Sequence, residues 1–160
     1  MKLHVIAVGH KPADWVAAGF EEYARRMPRS ARIVLAEIKA ASRGRRPPAD
    51  ASVARALAEE KSRILAAVPP GCVKIALDER GKQLSTAELG RRLEGWMQGG
   101  RDVAFVIGSA DGLDRELKTG ADLLLSLSAM TLPHALVRVL LAEQLYRAVS
   151  LIQNHPYHRD

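Results

Sequence analysis

Apolar and polar positions along the chain follow two rhythms, one of strands and one of helices. Leu3 to Gly9 (LHVIAVG) reads as a buried strand. From Asp14, as a cap, the spacing of Trp15, Gly19, Phe20 and Tyr23 predicts a helix running towards Arg26. Arg32 to Ile38 predicts a second strand, and the KAASRGRRPPAD that follows, with its glycine, paired prolines and clustered charge, reads as a loop. Asp50 or Ser52 can cap the next helix, where Val53, Leu57, Ile64 and Leu65 approximate one apolar stripe before Pro69-Pro70-Gly71 stops it.

Val73 to Asp78 predicts a third strand, with ERGKQL turning the chain into a helix whose start, Ser85-Thr86-Ala87-Glu88, has capping-box spacing. Gly99-Gly100 ends that helix. Val103 to Ile107 is continuously apolar, as a strand covered on both faces of a parallel sheet must be. The loop GSADGL follows, then a weaker helix around Asp114 to Lys118, a strand from Leu123 to Leu127, and a long helix from Ala135 to Ile152 after Pro133. Strands alternating with helices specify an α/β fold with a mostly parallel sheet of five to six strands and helices on both faces. Residues 1–160 are the length of one domain.

Composition narrows the partners. Lys and Arg number 24 against 18 Asp and Glu, a net charge of +6, which favours a polyanion. The excess is concentrated: Arg25, Arg26, Arg29, Arg32, Lys39, Arg43, Arg45 and Arg46 share their stretch with a single acidic residue, Glu37. Cys72 is the only cysteine, so no disulfide or paired-thiolate site can form, and a reducing cytoplasm is the expected compartment. The opening MKLHVIAVGHKP lacks the length and cleavage signals of a secretory peptide, and no apolar run reaches the roughly eighteen residues of a membrane span.

Several chemistries drop out. GSADG lacks the G-x-G-x-x-G pattern of a dinucleotide turn, and no phosphate-gripping G-x-x-x-x-G-K-[ST] occurs. His155 and His158 stand three apart, but Pro156 opposes a helix between them and no third ligand is evident, so no metal is expected. The last helix holds an anomaly. At about 100° per residue, Glu143, Arg147 and Ser150 share one side, while Arg138 lies nearly opposite among Ala142, Leu145 and Val149. A guanidinium there needs a carboxylate, carbonyl oxygens or a ligand. A helix apolar on most sides also points to a homodimer.

LDERGK (77–82), FVIGSADG (105–112), LSLSAMTLPHALVRVLLAEQLYRA (125–148), the terminal PYHR (156–159) and the opening MKLHVIAVGHK resemble, in order and spacing, the RlmH family of ribosomal RNA methyltransferases, of the SPOUT class. The resemblance runs end to end, and only the basic loop and the middle helix carry little of it. It implies an α/β-knot fold with a C-terminal trefoil knot, which no periodicity can supply because knots are rare. It implies S-adenosyl-L-methionine as methyl donor, a homodimer, and methylation of N3 of a pseudouridine in a hairpin loop of 23S ribosomal RNA on the assembled ribosome, with neither metal nor membrane. By matching positions, Leu77, Gly108, Leu127, Ser128, Ala129, Met130, Thr131 and Leu132 would contact the donor.

His134, Arg138, Glu143 and Arg147 match polar family positions near the reacting base, and Tyr157, His158 and Arg159 match a tail by which the partner subunit closes a composite site. The resemblance makes His134 the leading general base, with solvent hydroxide or a water held by Glu143 as alternatives. Arg138 and Arg147 would orient phosphate or base, and Tyr157 would stack on a base. The chain departs from the pattern at Ser109, where the family usually has a second glycine; a position that needs a positive φ or a close approach of the donor would bind the donor more weakly with serine there. Two rivals stand beside this reading: a catalytically silent ribosome-assembly factor on the same fold, and a methyltransferase of transfer RNA.

Overall fold

A computed structural model describes residues 1–44 and 50–158, the side chain of His158 excepted. Arg45 and Arg46 of the basic stretch, Arg159 of the tail and the side chain of His158 therefore lie outside the described residues. The elements run β1 (Lys2–Gly9), α1 (Asp14–Arg26), β2 (Arg32–Lys39), α2 (Asp50–Ala67), β3 (Val73–Gln83), α3 (Thr86–Gln98), β4 (Val103–Ile107), α4 (Arg115–Thr119), β5 (Leu123–Ser126), α5 (His134–Ile152) and a short 3-10 turn, Pro156–His158. The five strands form one sheet in the order β2-β1-β4-β3-β5, every pairing parallel.

Strand periodicity splits the core in two. Leu3, Val5 and Ala7 of β1, with Val103, Phe105 and Ile107 of β4, face a layer holding Phe20 of α1, Leu89 and Leu93 of α3, and Leu141, Leu145 and Val149 of α5. The intervening Ile6, Val8, Ala104 and Val106 point the other way, onto Ile64 of α2 and Leu117 of α4. Helices thus cover both faces, which is why β4 is buried at all five positions. α3 starts with the full capping box: Glu88 N–H donates to Ser85 Oγ (3.2 Å), and Ser85 N–H to Glu88 Oε2 (2.7 Å).

The structure corrects several local expectations. β3 does not stop at Asp78. It pairs with β5 through Leu77, bulges, and resumes at Lys82 and Gln83, because Gly81 lies so close to β5 that a Cβ there would come within 2.6 Å of the Leu125 carbonyl carbon. β5 ends at Ser126 rather than Leu127, where the Ser126 hydroxyl donates to the Ser128 carbonyl (2.8 Å) and turns the chain. Asp14 is the first helical residue, not the cap, which is Ala13 without a side-chain bond; its carboxylate still complements the helix dipole. Asp50 opens α2 and Ser52 lies inside it. The stripe of α2 is rotated from the expected one: Ala56, Glu60 and Ile64 are buried, whereas Leu65 is 50% exposed. Trp15 is also exposed. α5 begins one residue early, at His134.

Candidate functional site

The segment from Leu127 to Pro133 leaves the edge strand β5, runs beside the β3 bulge and the carboxyl end of β4, and enters α5 at His134, next to the Val8 carbonyl of β1. Ligands of open α/β sheets bind at this end of the strands. A cleft of about 440 Å3 opens there, within the range of small-molecule sites. Leu77, Asp78, Glu79 and Arg80 of β3 form one wall, the Gly108–Gly112 turn after β4 a second, and Leu127, Ser128, Met130, Thr131, Leu132 and His134 the third. Of the positions matched to donor contacts, Ala129 alone does not line the cleft.

Two serines shape the third wall. The Ser126 hydroxyl is bonded as above, and Met130 N–H donates to Ser128 Oγ (2.9 Å), leaving Met130 77% exposed at the rim. The second wall depends on Gly108. A Cβ there would lie 2.3 Å from the Gly112 carbonyl oxygen, and Gly112 itself takes a φ of +85° that closes the turn. Ser109 is not among the positive-φ residues, so its side chain imposes no backbone strain.

The cleft wall is acidic on balance. Asp78, Glu79 and Asp111 face Arg80 and Lys118, three carboxylates against two cations. Lys118 Nζ stands 3.3 Å from Asp78 Oδ2, and Arg80 N–H donates to Asp78 Oδ1 (2.9 Å). His134 Nε2 lies 2.8 Å from the Val8 carbonyl oxygen. A carbonyl can only accept, so Nε2 carries a proton, and the neutral form of the ring has its lone pair on Nδ1.

The remaining expected site residues fall in two other places on α5. Arg138, 4% exposed, donates from Nη1 to Glu37 Oε1 of β2 (2.8 Å), the carboxylate partner its position on the apolar face demanded. The pair borders a separate cavity of about 470 Å3 between β2 and α1, with Lys11, Asp14 and Leu35. On another side of the helix, Glu143 Oε1 accepts from Arg147 Nε (2.9 Å) and from the Tyr157 hydroxyl (3.4 Å). The Arg147 guanidinium lies 4.9 Å from the Tyr157 ring centre, and Tyr146 packs on the same ring at 4.6 Å. The hydrogen bond to Glu143 pushes Arg147 up from its ordinary pKa, and burial does the same to the Tyr157 phenol. Tyr157 therefore packs on its own chain. Among the described residues, no hydrogen bond or ion pair joins His134, Arg138 and the Glu143 group to one another.

Sequence reasoning passed over Asp78, Glu60 and the partnership of Arg43 with both Glu60 and Asp111. Glu60 had a readable signal: a carboxylate four residues from both Ala56 and Ile64 on a buried face, the same anomaly that singled out Arg138. Among the described residues, no group of three or more His, Cys, Asp or Glu could hold a metal, and no helix is long and apolar enough to cross a membrane.

Comparison with known proteins places this geometry. A family model described as "Predicted SPOUT methyltransferase" matches residues 1–158. A protein of Paraburkholderia xenovorans (strain LB400) named "Ribosomal RNA large subunit methyltransferase H" is 58% identical over 159 residues, 99% of each chain. One of the same name from Burkholderia vietnamiensis (strain G4 / LMG 22486) is also 58% identical, with the same coverage. Among solved structures, a "Probable Methyltransferase" from Bordetella pertussis Tohama I superposes with a TM-score of 0.53 at 18% identity, covering 92% of this chain and 93% of that one, a likeness of fold alone.

Proposed function

Because the chain belongs to the SPOUT methyltransferase family, we propose that it transfers a methyl group from S-adenosyl-L-methionine to N3 of a pseudouridine in a hairpin loop of large-subunit (23S) ribosomal RNA, as a homodimer on the assembled ribosome in the cytoplasm. The observation that carries this reading is the cleft. Three separate stretches, at Leu77, Gly108 and Leu127–Leu132, converge at the carboxyl ends of the strands in a chain 58% identical to proteins named for ribosomal RNA methylation. The trefoil knot belongs to the same proposal, supported by the course of residues 127–133 beside the β3 bulge and the end of β4.

The cleft fits the donor. Leu77, Leu127 and Leu132 offer apolar walls to a heteroaromatic face, the loop backbone offers polar edges, and the net acidic wall suits a cationic sulfonium. S-adenosyl-L-methionine supplies, when bound, a methyl group already activated for displacement. The protein's own share is positioning and proton removal. N3 of pseudouridine must lose its proton to present a lone pair, and His134, through Nδ1, is the side chain assigned to take it, a contribution of about 10²–10⁴-fold. Arg138 and Arg147 are assigned to orienting phosphate or base. Tyr157 and His158 are assigned to the tail that closes the partner's site, with Tyr157 stacking on an unpaired base. This last role requires the tail to leave the Glu143 and Tyr146 contacts it makes on its own chain. The single basic excess of the chain serves RNA affinity.

Mass spectrometry of ribosomal RNA from a strain lacking the protein tests the substrate. The expected result is loss of one methyl group on a pseudouridine of 23S RNA, restored by the wild-type protein. Unchanged ribosomal RNA with an altered transfer RNA would contradict it.

A further inference from the structure

Behind the second wall of the donor cleft lies a polar cluster that the proposed chemistry does not use. Glu60, on the inner face of α2, is 2% exposed, and Arg43, from the chain after β2, has a side chain 17% exposed. The Glu60 carboxylate accepts from Arg43, from the Ala41 N–H (2.9 Å) and from the Ser109 hydroxyl (3.1 Å). Arg43 in turn donates from Nη2 to Ser109 Oγ (2.6 Å), from Nε to Asp111 Oδ2 (2.9 Å) and from Nη1 to the Ala41 carbonyl (2.7 Å). Ser109 and Asp111 both line the cleft, and the turn that carries them is closed by the Gly112 N–H, which donates to the Ser109 carbonyl (2.8 Å).

Each part has a reason to be where it is. A carboxylate this deep is tolerable only with its lone pairs filled, and here a guanidinium, an amide and a hydroxyl fill them. The guanidinium is the group whose planar fork can hold two carboxylates and a hydroxyl at once. The hydroxyl exists because position 109 carries serine, the departure from the family pattern noted above. A glycine there would leave both Glu60 and Arg43 one partner short.

We infer that Glu60 is a positioning residue for the donor site, acting through Arg43 and the Ser109 hydroxyl to hold the Gly108–Gly112 turn in the shape that walls the cleft. The inference rests on the donor reading of that cleft. It does not require Glu60 to touch the donor. Glu60 is instead the fixed point on α2 to which the turn is tied, and the Ser109 hydroxyl is the tether.

Two measurements on the purified full-length protein test this. In hydrogen–deuterium exchange without ligand, Glu60→Gln and Ser109→Ala should speed exchange of the Ser109–Gly112 amides by about tenfold or more, the worth of a lost charge-assisted hydrogen bond, while α3 and α5 keep wild-type rates. In calorimetric titration with S-adenosyl-L-methionine, both variants should bind about tenfold more weakly than wild type. The double variant should bind no more weakly than Glu60→Gln, since both changes cut one tether. Exchange that rises equally throughout the protein, or unaltered donor affinity in the variants beside a wild type that binds, would overturn the positioning role. A wild type that binds no S-adenosyl-L-methionine overturns the donor reading itself, and the exchange result then still decides whether the tether holds the turn.

Discussion

At the scale of single residues, two positions decide most. Gly108 has no room for a side chain, since its own turn returns to within 2.3 Å of where a Cβ would sit. Gly108→Ala should therefore cost about 1–3 kcal/mol of stability and weaken donor binding at least tenfold, read by thermal melting and calorimetry. Arg138 differs in kind. Its partner Glu37 is half-exposed and can rehydrate when the guanidinium is removed. Arg138→Ala should cost only about 1–2 kcal/mol while abolishing methyl transfer to ribosomes, so a variant that folds and turns over normally would remove Arg138 from the site. The need of Arg138 for a partner was legible because a charge on an apolar helix face is an anomaly in any sequence. Glu60 posed the same anomaly on α2 and went unread, because charged residues on either side of it masked which face was buried. That Arg138 and the Glu143 group lie apart on α5 was legible from the 100° step of the helix; their partners were not, since each is distant in sequence: Glu37 for Arg138, and Tyr157, fourteen positions on, for Glu143.

At the scale of elements, local chemistry was read well where it is local. The capping box at Ser85 and Glu88 is complete, and the bonds from Ser85 hold the Glu88 carboxyl below its ordinary pKa. A depressed carboxyl stabilises the fold above its unfolded pKa and loses that contribution as pH falls through its folded value. Glu88→Gln should thus lower the melting temperature near neutral pH, and the difference from wild type should shrink in acid below the range where Glu88 protonates. A difference that persists unchanged at low pH would place the effect elsewhere. Element ends set by tertiary contact were misread. ERGKQL has the composition of a turn, yet its Lys82 and Gln83 rejoin β5 because Gly81 allows the two backbones to close on each other. The helix stripe of α2 was rotated for a related reason: only the packed sheet shows which side of an evenly mixed helix faces inward.

At the scale of the whole molecule, the alternation of strands with helices and the unbroken apolar run Val103–Ile107 were sufficient to give a parallel sheet covered on both faces, but not its order. The placement of β4 between β1 and β3 is what brings the bulge of β3 and the ends of β4 and β5 around one cleft. That order follows from long-range packing, and no local pattern carries it. The account stands on this convergence: a donor held at the strand ends and an RNA base brought to it. A single-turnover reaction of the purified protein with ribosomes and methyl-labelled S-adenosyl-L-methionine tests it most directly. The account predicts one label per ribosome, on N3 of a pseudouridine in 23S RNA; ribosomes that stay unlabelled in the presence of folded protein and saturating donor would contradict it.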